Sequence, residues 1–293
     1  MRSERDPLGT REVPDHALYG IQTVRALENF AISGQRPLEP FVIAQVWIKK
    51  AAALTHRDTG RLAPELADAI VAAADEVLAG QHRDQFVVDP WQAGAGTSHN
   101  MNVNEVLANR ANELLGHPRG SYAPVHPNDH VNMAQSTNDT IPTNIRLAVL
   151  RQCPALYERL GLLNTSLAAE GGDCDHIVGA GRTHIQDAMP IRLGQEFAAY
   201  AGTMARARRR LQEAADYLND LGIGGSAVGT GVTVEPEYPE RTVAHLRHIS
   251  GIGSLRVGAD RIQLMQSMGD VAAFSAALRG LAIDLSKIAS DLR

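Results

Sequence analysis

Short hydrogen-bonding side chains are concentrated between residues 126 and 143, and the centre of this stretch reads Gln135-Ser136-Thr137-Asn138-Asp139. Hydroxyl and carboxamide groups are unfavourable to bury unless they find hydrogen-bond partners. The carboxylate oxygens of a small substrate would provide such partners for Ser136, Thr137 and Asn138. The stretch therefore predicts a binding site for a small molecule that carries carboxylate groups.

Two further polar clusters lie between apolar stretches, where loops and helix starts commonly carry function. In residues 94–105, a helix that begins near Thr97 would direct free N–H groups at an anion. A capped helix with internally bonded asparagines explains that cluster equally well. In residues 181–187, Thr183 and His184 precede the longest apolar pattern. Histidine is the side chain that titrates near neutrality, so His184 either serves a ligand or has a structural role.

Three other patterns suggest functions that their sequence context argues against. His126 and His130 have the i, i+4 spacing of a zinc-protease helix, but Pro127 and the lack of Glu after His126 argue against metal binding. Residues 222–231 match a dinucleotide-binding glycine pattern, yet they follow a helical pattern and not a strand, which favours a flexible loop. A solvated helix face or a subunit contact explains the arginines at 206–210. We therefore expect no metal, no cofactor and no nucleic-acid partner.

The composition is that of an ordinary globular protein, with 293 residues, 44% hydrophobic and 21% charged. The net charge of −5 provides no basic field for nucleic acid or for an anionic membrane. No apolar run approaches the ~18 residues of a membrane span, and the N-terminal residues do not read as an export signal. Cys153 and Cys174 form no disulfide or metal-binding pattern, so a cytoplasmic location is expected.

Apolar residues recur at alternating intervals of three and four, which predicts long helices with one buried face. The three segments with this pattern are residues 149–167, 193–218 and 274–292. Pro154 is expected to kink or restart the first helix. Shorter helices are predicted at Phe41–Thr59 and Glu65–Ala79.

The predicted fold class is all-α, with an N-terminal mixed helical and loop domain at residues 1–139 and a long-helix bundle domain at 140–293. The last apolar pattern stops at Leu292 without a C-cap signal. We therefore expect the bundle domain to be incomplete at its C-terminal end, and we expect the isolated chain to aggregate through the uncovered apolar face of that helix.

Taken together, the three polar clusters resemble the signature regions of the aspartase/fumarase superfamily, and the resemblance covers essentially the whole chain. The segment from Leu8 to Pro14 and the stretch around Thr137 look closer to aspartate ammonia-lyases than to fumarate hydratases, which typically carry Ser at the position of Thr137. The resemblance implies an all-α homotetramer around a long helical bundle, with each active site shared by three subunits.

The resemblance also implies the ligand and the reaction. By position in the motifs, the residues that would bind L-aspartate are Thr97, Ser136, Thr137, Asn138, Thr183 and His184. The implied reaction removes a proton from Cβ and expels ammonia, which gives fumarate. The family's base is a serine in a Gly-Ser-Ser loop followed by a Lys and an Asn, and that loop would come after Arg293. We therefore expect no catalytic base in these residues and no turnover by the chain alone.

Two other functions stay open beside the ammonia-lyase. One is a fumarate hydratase or a related lyase of the same superfamily. The other, of a different class, is a non-catalytic helical oligomer that kept the bundle and lost the chemistry.

Overall fold

The computed structural model describes every residue from Met1 to Arg293, and most of the chain is α-helical. The helices are α1 (Ile21–Asn29), α2 (Glu39–Asp58), α3 (Pro64–Leu78), α4 (Thr97–Leu114), α5 (Thr137–Asp173), α6 (Leu193–Asp216), α7 (Tyr238–Ser250), α8 (Arg261–Gln266) and α9 (Gly269–Leu292). The strands are β1 (Arg2–Asp6), β2 (Gly9–Val13), β3 (Val178–Thr183), β4 (Gln186–Arg192), β5 (Asp220–Leu221) and β6 (Arg256–Val257). No helix combines the length and the apolar character that crossing a bilayer requires.

The all-α prediction is confirmed. The helices predicted at Phe41–Thr59 and Glu65–Ala79 correspond to α2 and α3, and the three long apolar patterns lie on α5, α6 and α9. The predicted restart at Pro154 is wrong, because the 37-residue helix α5 runs unbroken from Thr137 to Asp173, while a kink at this position stays a prediction. Pro154 is on the exposed side of the helix, while Cys153 and Leu160 are buried and hold this part of α5 against its neighbours.

The strands pair into three small sheets that apolar periodicity does not reveal. β1 pairs antiparallel with β2, β3 pairs antiparallel with β4, and the two residues of β5 pair parallel with those of β6. Side chains of β3 and β4 are mostly exposed. A hairpin without a buried face has no reason to alternate apolar and polar residues, so its sequence carries no strand signal.

Contacts between residues divide the chain into two compact units. Unit 1 consists of Met1–Arg151 and Asn219–Met268, and unit 2 consists of Gln152–Leu218 and Gly269–Arg293. This division falls inside α5, on the C-terminal side of the predicted boundary near Asp139. The predicted division into domains at 1–139 and 140–293 stays a prediction.

In unit 1, α2 packs against α3 and α7, and α3 packs against α4. The core of these contacts includes Val46 of α2, Ile70 of α3, and Val103 and Leu107 of α4. Many of the remaining buried positions are alanines, whose small side chains allow the helix axes to approach closely. This core carries the starts of α4 and α5, where two of the three polar clusters lie.

In unit 2, α6 packs against α9 along the apolar faces that the sequence predicts. Met204 and Leu211 of α6 and Phe274 and Leu281 of α9 are buried. Part of α5 belongs to the same unit, and the carboxamide of Asn164 donates to the carbonyl oxygen of Ala201 at 2.6 Å. The hairpin of β3 and β4 leads directly into α6, so the third polar cluster belongs to this unit.

Candidate active site

Ser136, Thr137 and Asn138 occupy the start of α5 in unit 1. The hydroxyl oxygen of Ser136 accepts the backbone N–H of Asn138 at 3.1 Å, and the backbone N–H of Ser136 donates to the carboxylate of Asp139 at 2.9 Å. These two bonds satisfy groups that the start of a helix otherwise leaves unpaired. A hydroxyl that accepts a backbone bond still has its hydrogen to donate, so Ser136 keeps a donor for a ligand.

Asp139 connects this helix start to the glycine-rich loop at 222–231. Its carboxylate is fully buried and accepts the backbone N–H of Gly224 at 3.1 Å and that of Ser226 at 2.9 Å. The carboxamide of Asn138 also donates to the carbonyl oxygen of Ala227 at 2.8 Å. The sequence interpretation of this loop as flexible backbone therefore needs correction. The loop follows the short strand β5 and is held against α5 by these bonds.

Thr97 is the first residue of α4 and is exposed. Gly96, just before it, has φ of +73°, a left-handed conformation that favours glycine. A Cβ at Gly96 would lie 2.9 Å from Cγ1 of Ile141, so the missing side chain also lets the start of α4 approach α5. The structure thereby brings the N-terminus of α4, with its free N–H groups and positive dipole end, close to the second turn of α5.

Thr183 and His184 lie at the end of the β3–β4 hairpin in unit 2. Thr183 pairs with Gln186, which leaves His184 and Ile185 as a two-residue turn. Their φ angles are +50° and +66°, as a type I′ turn requires. Both residues are exposed, and the turn holds the His184 side chain at the tip of the hairpin.

Lys49 is a buried residue of this region that the sequence analysis did not single out, because it lies outside the three polar clusters. Its ammonium group donates to the side-chain oxygens of Asn100 at 2.7 Å, Asn132 at 2.8 Å and Gln135 at 2.9 Å. A signal was available, since Lys49 interrupts the apolar stretch of α2 one helical turn after Gln45, another polar residue with no exposed surface. A cation at such a position must have internal partners.

Several other polar residues of the clusters serve the framework. The carboxylate of Glu105 accepts three backbone N–H groups at the start of α1, those of Gly20, Gln22 and Thr23, and also the Thr23 hydroxyl. The ring nitrogen Nδ1 of His126 accepts the backbone N–H of Asp129 at 3.2 Å, and Nδ1 of His130 accepts the backbone N–H of His126 at 2.9 Å. The i, i+4 spacing of the two histidines is thus explained by the capping of one helical turn.

Two clefts border the polar residues of unit 1. Asn138 lines one of about 440 Å³ with Ala95 and Val228, and Thr97 lines the other, of about 470 Å³, with Arg25. Arg25 is paired with Asp6 through its guanidinium group at 2.7 Å. Thr97 and Asn138 therefore face different openings of this chain, although the helices that carry them are close.

Burial shifts the charges around the start of α5. Loss of water raises the pKa of Asp139 to about 6, although its backbone hydrogen bonds and the nearby Lys49 act in the opposite direction. Loss of water also lowers the pKa of Lys49 to about 7, and attraction by Asp139 opposes that shift. The candidate segment Ser136–Asn138 thus lies between a buried cation and a buried carboxyl group.

Comparisons with known proteins agree with this arrangement of helices and polar clusters. A sequence profile of the protein family described as Lyase matches residues 9–293. The aspartate ammonia-lyase of Bacillus subtilis (strain 168) is 44% identical over 293 residues, which are 100% of this chain and 61% of that protein. The class II fumarate hydratase of Neisseria meningitidis is 44% identical over 293 residues, 100% of this chain and 63% of that protein. The crystal structure of fumarate lyase:delta crystallin from Brucella melitensis bound to cobalt has a TM-score of 0.97 and 44% identity, over 100% of this chain and 64% of that chain.

The chain therefore belongs to this lyase family, and the superfamily expected from the three polar clusters is confirmed. It spans about three fifths of the length of the relatives it matches, 61% and 63% in the two cases above. An aspartate ammonia-lyase and a fumarate hydratase match it at the same 44% identity. Family membership alone thus does not select between ammonia and water as the group that leaves.

Proposed function

We propose that this chain provides the carboxylate-binding face of an enzyme that converts L-aspartate reversibly to fumarate and ammonia. The observation that carries the proposal is the set of donors at the start of α5, where Ser136, Thr137 and Asn138 follow one another, with Ser136 bonded to Asp139 and Asn138 bonded to the carbonyl oxygen of Ala227. Thr97, at the start of the neighbouring helix α4, is included because the resemblance implies that it binds the substrate, although it lines a different cleft of this chain. The resemblance adds Thr183 and His184 to the proposed set of substrate ligands, and it implies that each active site is shared by three subunits.

The proposed chemistry explains why hydroxyl and amide donors are suited to this site. A proton on the carbon next to a carboxylate is very weakly acidic, and its removal places a second negative charge on that carboxylate. Donors fixed in advance stabilise the doubly charged intermediate more than the substrate, which lowers the barrier. Ser136 is fixed at a helix start by its bonds to Asn138 and Asp139, so its hydroxyl group can act in this way without reorganising. Thr137 is the first residue of the same helix.

Thr137 is the residue that favours an ammonia-lyase over a hydratase, because fumarate hydratases typically carry Ser at this position. A class II fumarate hydratase is the second candidate, and it is supported by relatives of that name at 44% identity. In both reactions the residues that bind the carboxylates have the same role. The candidates differ in the group removed from the adjacent carbon.

We further propose that the active assembly is a homotetramer and that the 293-residue chain alone does not turn over L-aspartate. Exposed apolar side chains of unit 2 support assembly, since Leu162 is 54% exposed and Ile283 is 60% exposed. The resemblance supports the lack of turnover, because it implies a serine base in a Gly-Ser-Ser loop and these residues contain no such loop. Cys153 and Cys174 are both present as thiols and not as a disulfide, which supports a cytoplasmic location.

Calorimetric titration of the chain with L-aspartate and with L-malate tests the proposal. We expect binding of L-aspartate that exceeds binding of L-malate, and no fumarate absorbance when L-aspartate is added. Preference for L-malate would favour the hydratase. A folded chain that binds neither compound would favour the non-catalytic oligomer, and robust production of fumarate would refute the proposed inactivity of the chain alone.

A further inference from the structure

Lys49 stands in the middle of α2 with no exposed surface. Its neighbours along the helix, Ile48 and Ala51, are buried as well. An ammonium group removed from water is unfavourable unless each of its hydrogens finds an acceptor. The surroundings of Lys49 must therefore compensate for the lost hydration.

The acceptors come from two of the three polar clusters. Three carboxamide oxygens, those of Asn100, Asn132 and Gln135, lie 2.7, 2.8 and 2.9 Å from the ammonium nitrogen. An ammonium group has three donors, so all of them are used and the group bridges α4 to the segment before α5. We call Lys49, Asn100, Asn132 and Gln135 the Lys49 cage.

The cage residues fasten the turn that precedes Ser136. The carboxamide of Asn132 donates to the carbonyl oxygen of Gln135 at 3.3 Å, and that of Gln135 donates to the carbonyl oxygens of Val131 at 3.1 Å and Met133 at 3.3 Å. With its oxygen on Lys49 and its nitrogen on the backbone, each side chain has a single orientation. Lys49 is thus connected through these two side chains to the backbone of residues 131–135.

Ala134 within this turn has φ of +60°, a left-handed conformation that a non-glycine residue adopts only at a cost in free energy. Such a conformation persists when the surrounding contacts over-determine it, and it is common where a segment presents functional groups. The hydrogen bonds of the cage surround Ala134 on both sides. They account for a strained turn at the entrance to the binding segment.

We propose that Lys49 is a positioning residue that acts through Asn132 and Gln135 to hold Ser136, Thr137 and Asn138 in the geometry that receives a substrate carboxylate. This inference rests on the proposed function for the identity of the ligand. The claim that Lys49 holds residues 136–138 in place does not depend on which ligand binds there. Lys49 itself makes no contact with the ligand, because its donors are used within the cage.

The competing explanation is that Lys49 only stabilises the core, and matched variants separate the two. Lys49→Met removes the ammonium group and keeps an unbranched chain of similar length. Lys50→Met is the control, because Lys50 is the next residue of α2 and pairs with Asp75 at 2.5 Å on the surface. Amide hydrogen exchange of unliganded proteins is measured residue by residue, together with thermal unfolding.

We expect Lys49→Met to accelerate exchange of the Gln135, Ser136 and Asp139 amides at least tenfold, while the amides of α3 change far less. The Lys50→Met control should leave the exchange rates of the Gln135, Ser136 and Asp139 amides unchanged. A uniform acceleration throughout unit 1, or none at residues 135–139, would overturn the inference. If Lys49→Met does not fold, Lys49→Gln serves instead, since it removes the charge, keeps a polar group inside the cage and leaves the backbone bonds of Gln135 in place, and it must accelerate the Ser136 and Asp139 amides in the same way.

A double-mutant cycle with L-aspartate as the probe completes the test. If Lys49 acts through Gln135, Lys49→Met and Gln135→Leu each weaken L-aspartate binding about tenfold, and the double variant is little worse than either alone. A double variant whose loss of L-aspartate affinity equals the product of the two single losses would contradict action through Gln135. If the wild-type chain binds no L-aspartate, the proposed function fails, and the exchange result still decides whether Lys49 holds the segment.

Discussion

The carboxylate of Asp139 accepts the backbone N–H of Ser226 at 2.9 Å, although 87 positions separate the two residues in the sequence. Together with the bond from Gly224, this contact holds the glycine-rich loop against the start of α5. The neighbouring Asn138 contacts the same loop through the carbonyl oxygen of Ala227. A residue expected to bind substrate is therefore fixed by backbone from a distant part of unit 1.

Replacement of Asp139 by Asn should alter the dependence of stability on pH. Burial raises the pKa of Asp139 from 3.8 to about 6, so between these values the folded protein holds a proton that the unfolded chain has released. The resulting contribution to the free energy of unfolding is full below about pH 4 and is lost as the pH rises through about 6. Relative to Asp139→Asn, the wild type should lose roughly 3 kcal/mol over this interval.

Urea unfolding followed by circular dichroism at several pH values measures this difference. Asp173→Asn is the control, because Asp173 is an exposed carboxylate on the same helix. If the free energies of unfolding of the wild type and of Asp139→Asn change in parallel with pH, the carboxyl group of Asp139 does not titrate in this range.

Gly96→Ala should destabilise the protein by about 2 kcal/mol or more. Alanine is strained in the left-handed backbone conformation of this position, and its Cβ would lie 2.9 Å from Cγ1 of Ile141. Both the strain and the overlap lower the free energy of unfolding. Gly172→Ala is the matched control, because Gly172 lies in α5 with nothing within 4 Å of its added Cβ, and it should be neutral or slightly stabilising. Thermal unfolding compares the two, and equal melting temperatures would show that the approach of α4 to α5 at Gly96 is not tight.

Ile185→Gly should stabilise the β3–β4 hairpin by about 0.5–1 kcal/mol. Ile185 is a β-branched residue with φ of +66°, where glycine is free of strain. Little packing is lost because Ile185 is 90% exposed. Ile185→Val keeps the branching and the strain, so its melting temperature should match that of the wild type. A lower stability for Ile185→Gly would mean that the isoleucine is held by contacts that its exposure conceals.

Thr137→Val should weaken L-aspartate binding about tenfold, because a hydrogen bond to a charged group contributes roughly 1.5 kcal/mol. Valine keeps the shape of threonine and removes only the hydroxyl group. Thr165→Val on the exposed side of α5 is the control, since the Thr165 hydroxyl donates to Gly161 within the same helix. Calorimetric titration measures both, and an unchanged affinity for Thr137→Val would remove Thr137 from the proposed ligand set.

The helices and the polar clusters were predictable because both depend on local sequence. Apolar spacing defines α6 and α9 whatever they pack against, and the residue types of Ser136 and Thr137 indicate the chemistry. The partners of Asp139 were not predictable, since they lie in a loop that only tertiary folding brings near. The hairpin that carries His184 was missed as well, because its exposed strands place no apolar residues on a buried face.

The partners of Lys49 were not predictable from local sequence either, and their arrangement has a consequence for evolution. Its three acceptors lie on α4 and in the turn before α5, so no local pattern links them to α2. Loss of any one member leaves a buried polar group unpaired, whereas joint replacement by apolar residues would remove all the unpaired groups at once. Natural sequences should therefore rarely contain intermediate combinations. The four positions of the Lys49 cage should be inherited as one unit, either all retained or all exchanged.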